Sequence, residues 1–215
     1  TKIPVTVVYS DDKGENWTTC ELDKIYTADY YYVKFFDSDN GVIVCGYAKS
    51  NDTNESSRIY STSNGGESWD IVGSGPATNI IKGVVYVSSD VGFFCYDYVE
   101  GMDSNLYKTD DGGKTFAKVM LEEQELDSSA ANPQGQETET KTDSGKNGAD
   151  SSEQLRWGDV YKEALTPVVD STGIITIYLT QGKNAVYNDG KTAAKYQSSD
   201  KGSTWKYIGQ VEIKD

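Results

Sequence analysis

The sequence predicts an all-β protein assembled from about four copies of one four-stranded antiparallel unit, and three observations carry that expectation. A short signature recurs four times along the chain, strand-turn-strand segments lie between its copies, and the composition suits strands joined by tight turns. That composition has 16 Tyr and 21 Gly against only 4 Pro, and Tyr favours strands while Gly marks turns. At 215 residues, 36% of them hydrophobic and 12% aromatic, the chain can bury a core of its own.

The signature is a hydroxyl residue, Asp or Asn two places on, Gly two further, and an aromatic three beyond that. Its copies are Ser10, Asp12, Gly14, Trp17; Thr62, Asn64, Gly66, Trp69; Thr109, Asp111, Gly113, Phe116; and Ser198, Asp200, Gly202, Trp205. In a tight hairpin loop the Asp or Asn caps backbone N–H groups, and the Gly supplies a positive φ that other residues resist. The aromatic opens the next strand and is expected to enter the core. Burying a ring of about 150–250 Å² at about 25 cal/mol per Å² stabilises by at most about 4–6 kcal/mol.

Between the boxes a second pattern repeats. Residues 32–36 run through Asp37, Ser38, Asp39 and Asn40 to Gly41 and on to 42–47; 84–87 run through Ser88, Ser89 and Asp90 to Gly92 and 93–98; 165–169 run through Asp170 and Ser171 to Gly173 and 174–179. Each repeat therefore reads as two hairpins, with the box between its third and fourth strands. The first box is preceded by nine residues, room for one strand, so the first repeat is incomplete; residues 205–213 already read as a fourth strand.

The boxes start at 10, 62, 109 and 198, and the long last interval holds a 33-residue stretch, 122–154, with nine Asp or Glu and two Lys. Rich in Ser, Gln, Thr, Gly and Asn, this stretch has too little apolar surface to order itself and is expected to be a mobile acidic insertion. The organisation is then repeats one to three over 1–121, the insertion over 122–154, and the fourth repeat over 155–215.

The four boxes resemble the Asp-box, or BNR, repeats of β-propellers such as bacterial sialidases and sortilin-type receptors. The resemblance covers most of the chain outside the insertion. It implies four-stranded blades, with the boxes in a structural role away from the ligand face. The blades here are fewer than a sialidase has, so closure of the ring alone, by dimerisation or with further blades stays open. Ligands of such propellers gather on the loops joining fourth to first and second to third strands. Here these loops hold Tyr26, Tyr30, Arg58, Tyr98, Glu100, Arg156, Trp157 and Tyr187. Exposed aromatic faces suit sugar rings or protein hot spots, which makes Trp157 the first candidate, with Arg156 beside it and Arg58, Tyr30, Tyr98 and Tyr187 after it.

Other features narrow the function. A net charge of −14 repels polyanions, so nucleic acid is excluded as a partner. The chain has no His, which removes His-based triads and His-ligated metals; no cofactor and no metal is expected. The sialidase resemblance would require three Arg for the substrate carboxylate, a Tyr nucleophile paired with a Glu, and an Asp acid/base. The chain has two Arg, and Lys2-Ile3-Pro4 only partly matches the family's Arg-Ile-Pro motif. Asp37 to Gly41 resembles the start of a calcium loop but lacks the Gly and Glu that such a loop needs later on, and reads instead as a hairpin turn. Cys20, Cys45 and Cys95, an odd count inside strands, read as core residues. No apolar run reaches the length of a membrane span, and the family resemblance implies an extracellular or surface protein whose leader lies outside this sequence. The expected function is a non-catalytic module binding a glycan or protein through its loop face. A sialidase-like glycoside hydrolase, or a fragment of one, is the alternative, and a structural scaffold the third reading.

Overall fold

A computed structural model describes residues 4–25, 28–47, 57–126, 156–182 and 187–213. Its strands form four antiparallel sheets in chain order. Sheet 1 has two strands, β1 (Thr6–Tyr9) and β2 (Thr18–Glu21). Sheet 2 runs β3 (Tyr30–Phe35), β4 (Gly41–Gly46), β5 (Ser57–Thr62), β6 (Asp70–Ser74), each strand paired to the next. Sheet 3 repeats this order with β7 (Ile81–Tyr86), β8 (Gly92–Tyr96), β9 (Leu106–Thr109) and β10 (Ala117–Lys118). In sheet 4, β11 (Glu163–Ala164) and β12 (Val168–Val169) both pair with β13 (Ile175–Thr180), which leads to β14 (Thr192–Ser198) and β15 (Lys206–Glu212). Sheets 2 and 3 are four-stranded antiparallel meanders, and β13 to β15 of sheet 4 continue the same order.

The single strand expected over 165–169 is instead split. Pro167, which has no N–H to give a ladder, falls between β11 and β12. Thr166 beside it is accommodated by Gly83 on the neighbouring sheet, where a Cβ would overlap the threonine side chain.

All four boxes close in the same way. The hydroxyl of Ser10, Thr62, Thr109 or Ser198 donates to Oδ1 of Asp12, Asn64, Asp111 or Asp200 at 2.7–2.9 Å. The same hydroxyl accepts the N–H of Gly14, Gly66, Gly113 or Gly202 at 2.7–3.0 Å. Those glycines have φ between 77° and 108°, the left-handed region expected of them. Oδ1 then accepts a second backbone N–H, from Asn16, Ser68, Thr115 or Thr204. The turn at Asp37 is a hairpin turn, its Oδ1 accepting the N–H groups of Asp39 and Asn40. Gly65 and Gly112 donate to Asp39 and Asp90 carbonyls, so in sheets 2 and 3 boxes and first turns share one end, opposite the second-to-third and fourth-to-first connections.

Packing between sheets shows where each box aromatic goes. Trp69 joins Leu22, Ile25, Ile43, Cys45 and Tyr60 between sheets 1 and 2. Phe116 meets Phe94 edge-on at 4.9 Å beside the cluster between sheets 2 and 3. Trp205 meets Phe93 at 6.0 Å between sheets 3 and 4. In every case the ring faces the preceding sheet. Trp17 is therefore a correction to the sequence expectation: with no sheet before sheet 1 among the described residues, its ring is 64% exposed where Trp69 is 8% exposed.

Cys45 and Cys95 are buried free thiols, and Cys20 is half-buried. Residues 122–126 of the expected insertion are described and lie against the fold: Leu126 packs on the cluster around Trp157, and the Glu122 carbonyl accepts from the Tyr196 hydroxyl at 2.7 Å. The expected mobility of the stretch from 127 onward falls outside the described residues, as do Lys2, Ile3 and Tyr26.

The carboxyls of Asp111 and Asp200 are held well below the ordinary value of 3.8, chiefly by the hydroxyls of Thr115 and Thr204, which donate at 2.6 Å. A carboxyl lowered in the folded state contributes stability above its unfolded pKa and loses it as pH falls through the folded value. Asp111→Asn with Asp200→Asn keeps the Oδ1 acceptor that Asn64 uses in its own box. We expect the variant to melt below the parent at neutral pH and the gap to narrow progressively as the pH falls below about 4 in calorimetric scans.

Candidate functional site

A cavity of about 350 Å³ opens where the second-to-third connection of sheet 3 meets the chain entering sheet 4. One wall is Tyr98 and 102–106, the other 119–121, Glu123, 156–159, Tyr161 and Lys162. The second wall is built by an element the all-β reading did not foresee, a helical turn α1 (Trp157–Val160). The turn sets residues three apart side by side, and Arg156 grips Asp159 with Nε to Oδ2 at 2.9 Å and Nη2 to Oδ1 at 3.3 Å. The guanidinium lowers the Asp159 carboxyl. Exposed and screened by solvent, the pair adds little to stability and sets planar donors and acceptors at the cavity.

Across the cavity, Lys162 donates to Glu100 at 2.8 Å and ties the sheet 3 loop to sheet 4; that hydrogen bond raises the Lys162 ammonium. Asp103 takes Lys118 at 2.7 Å, which lowers its carboxyl. Gly158 leaves room for Glu123, whose Oε1 would stand 2.5 Å from a Cβ there. The floor is held by Asn105, 1% exposed, whose amide donates to the carbonyls of Tyr96 (2.8 Å) and Ala164 (2.9 Å) and accepts the Ala164 N–H at 2.8 Å.

Three of the sequence candidates thus come together, Tyr98, Arg156 and Trp157, with Glu100 at the rim. Trp157 differs from expectation in being 4% exposed: its ring stands edge-on to Tyr207 at 5.3 Å and tilted against Tyr161 at 4.6 Å. Tyr98, half-buried, is the candidate ring left partly open to solvent in the cavity. The other candidates lie elsewhere. Arg58 donates to the Lys24 carbonyl at 2.7 Å, the Tyr30 hydroxyl accepts the Val84 N–H at 3.0 Å, and Tyr187 is buried with its N–H on Gln181. All three hold connections or sheets together. Among the described residues no group of three acidic or Cys side chains could hold a metal ion, and no helix is long and apolar enough to cross a membrane.

No protein-family model and no curated protein matches the sequence. Among solved structures the chain is similar to a GH74 enzyme from Niastella koreensis, at 16% identity and a TM-score of 0.45 over 95% of this chain and 26% of that one. The chain spans about a quarter of that structure's length.

Asp103, Asn105, Glu123, Asp159 and Lys162 were not legible as site residues. Only the Arg156–Asp159 spacing of three offered a signal, and only once a helical turn is known there. Trp157→Ala is expected to cost about 3–5 kcal/mol in urea unfolding, as loss of a buried ring does. Asn105→Ala, which strands buried backbone groups of Tyr96 and Ala164, is expected to cost about 2–4 kcal/mol in the same measurement.

Proposed function

We propose that this chain is a non-catalytic propeller module of the Asp-box type that binds a glycan in the cavity between sheets 3 and 4. The observation that carries the reading is the cavity's make-up: a partly open tyrosine ring beside a two-pronged Arg156–Asp159 pair, over a floor set by a fully bonded Asn105. A ring stacks on the apolar face of a sugar, and fixed planar donors and acceptors match pairs of adjacent hydroxyls.

The charge favours a neutral saccharide. Arg156 and Lys162 at the cavity are each matched by a carboxylate, Asp159 and Glu100, so neither stands as an isolated cation for an acidic sugar. The sialidase alternative gains no support from this chain's own residues. Its two arginines sit apart, Arg58 on sheet 2 and Arg156 at α1. Asp103 and Asp159 are held low, the opposite of the raised carboxyl a general acid needs at neutral pH.

Placement outside the cell is part of the proposal. Burial pushes the Cys45 and Cys95 thiols up to about 12, which keeps them inert under oxidising conditions. Fractionation of the native source tests that placement; a cytosolic pool would remove it.

A glycan array beside a fluorogenic sialoside assay tests the binding. Saturable binding without turnover is expected, lost by about tenfold or more in Tyr98→Ala and Arg156→Ala with unchanged melting temperature. Turnover would replace this reading with the enzyme, and silence on glycans with capture of a protein by the same face would replace the sugar.

A further inference from the structure

Sheet 1 offers a second surface, independent of the cavity between sheets 3 and 4. Beside β1 lies an uncharged trough of about 660 Å³, bounded by residues 4–9 and floored by Leu22, Tyr31, Val33, Phe35, Ile43 and Trp69. Leu22, Ile43 and Trp69 belong equally to the buried cluster between sheets 1 and 2, so the trough continues that interface into the open.

The protein's own repeat shows what covers such a surface. Phe35 pairs with Gly41 as Tyr86 pairs with Gly92, which makes Val33 the counterpart of Val84. On sheet 3, Val84 is 4% and Tyr86 1% exposed, because β3 of the sheet before lies along them. The Tyr30 and Tyr32 hydroxyls accept the Val84 and Tyr86 N–H groups at 3.0 and 3.1 Å, and Lys34 donates to the Tyr86 carbonyl at 2.6 Å. On sheet 2 the counterparts Val33 and Phe35 are 56% and 42% exposed. Sheet 1 has the counterparts of a third and a fourth strand, with its box between them, and no first or second strand among the described residues.

Among the described residues no strand pairs with the outer edge of β1 in the same region. Val5 exchanges backbone bonds with Leu22 and Ile25, so by alternation Thr6 and Val8 direct their N–H and C=O groups to the trough.

We propose that the trough is a docking site for a two-stranded β-hairpin carried by a partner chain. Its second strand would pair with the β1 edge, and its first would lie along β3 with hydroxyl side chains on the Val33 and Phe35 N–H groups. The chemistry follows from the hairpins that fill this position elsewhere. The second strand is apolar on both faces, as in β4 and β8, and the first alternates Tyr-like with apolar residues, as in β3. A second copy of this chain does not fit. Two β1 edges pair antiparallel about a twofold axis perpendicular to the sheet, which brings sheet 2 of both copies onto the same face and into the same space.

The test is a synthetic peptide of residues 30–46, the hairpin that covers β7, added to the full-length protein. Saturable one-to-one binding is expected, with a raised melting temperature and slowed amide exchange at Thr6, Val8, Val33 and Phe35. Val33→Lys, at a position exposed enough to leave folding intact, is expected to weaken binding about tenfold or more, since it places a charge on an apolar floor. Absence of binding to the folded protein, or binding that Val33→Lys leaves unchanged, would overturn the proposal. So would a concentration-dependent dimer in sedimentation that Val33→Lys abolishes, which would make the occupant a second copy after all.

Discussion

The aromatic ring of each box is aimed backwards at the sheet before its own, and the architecture depends on that direction. The hydroxyl–carboxylate–backbone bonds of the box fix a turn that only a left-handed glycine can make. The turn then delivers Trp69, Phe116 or Trp205 to the gap between two sheets. β4 and β8 are buried along their whole length, so sheets 2 and 3 are covered on both faces, and the sheets stack in series. Trp17 shows the rule by its exception: same box, same turn, and a ring in solvent, with no sheet behind it among the described residues.

The stacking also places the two surfaces. At the joint between sheets 3 and 4 the second-to-third loop and the chain entering sheet 4 meet over Asn105, whose amide bonds backbone on both sides. Polar side chains there stand on a rigid base, which suits a site that must keep donors and acceptors in register. At sheet 1 two strand positions stand open among the described residues, and the surface that a neighbour would bury is apolar and uncharged. One surface is polar and framed by ion pairs, the other is a cut through the core, and they call for different occupants.

Much of the fold was legible in the residues. The box spacing placed the turns, Gly and Asx residues placed the hairpins between first and second strands, and the shortfall before Ser10 marked the half-sheet. The structure departs from that reading where contacts distant in sequence decide. Pro167 splits the first strand of sheet 4, α1 forms in a stretch read as loop, and Leu126 packs down although its neighbours are acidic. The candidate site was half legible: Tyr98, Arg156 and Trp157 converge, while Arg58, Tyr30 and Tyr187 are spent on hydrogen bonds and packing within the stack.

The sequence by itself determined the repeat and the turn geometry, because these rest on bonds between residues at most four apart and on the handedness of glycine. Only the tertiary structure decided which rings are exposed. Trp157 and Tyr98 occupy similar loops, yet one is sealed by Tyr161 and Tyr207 while the other stays partly open. Exposure is a property of what lies on the far side of a side chain, and the ring that stands edge-on to Trp157, Tyr207, is brought there by β15, fifty residues further along the chain.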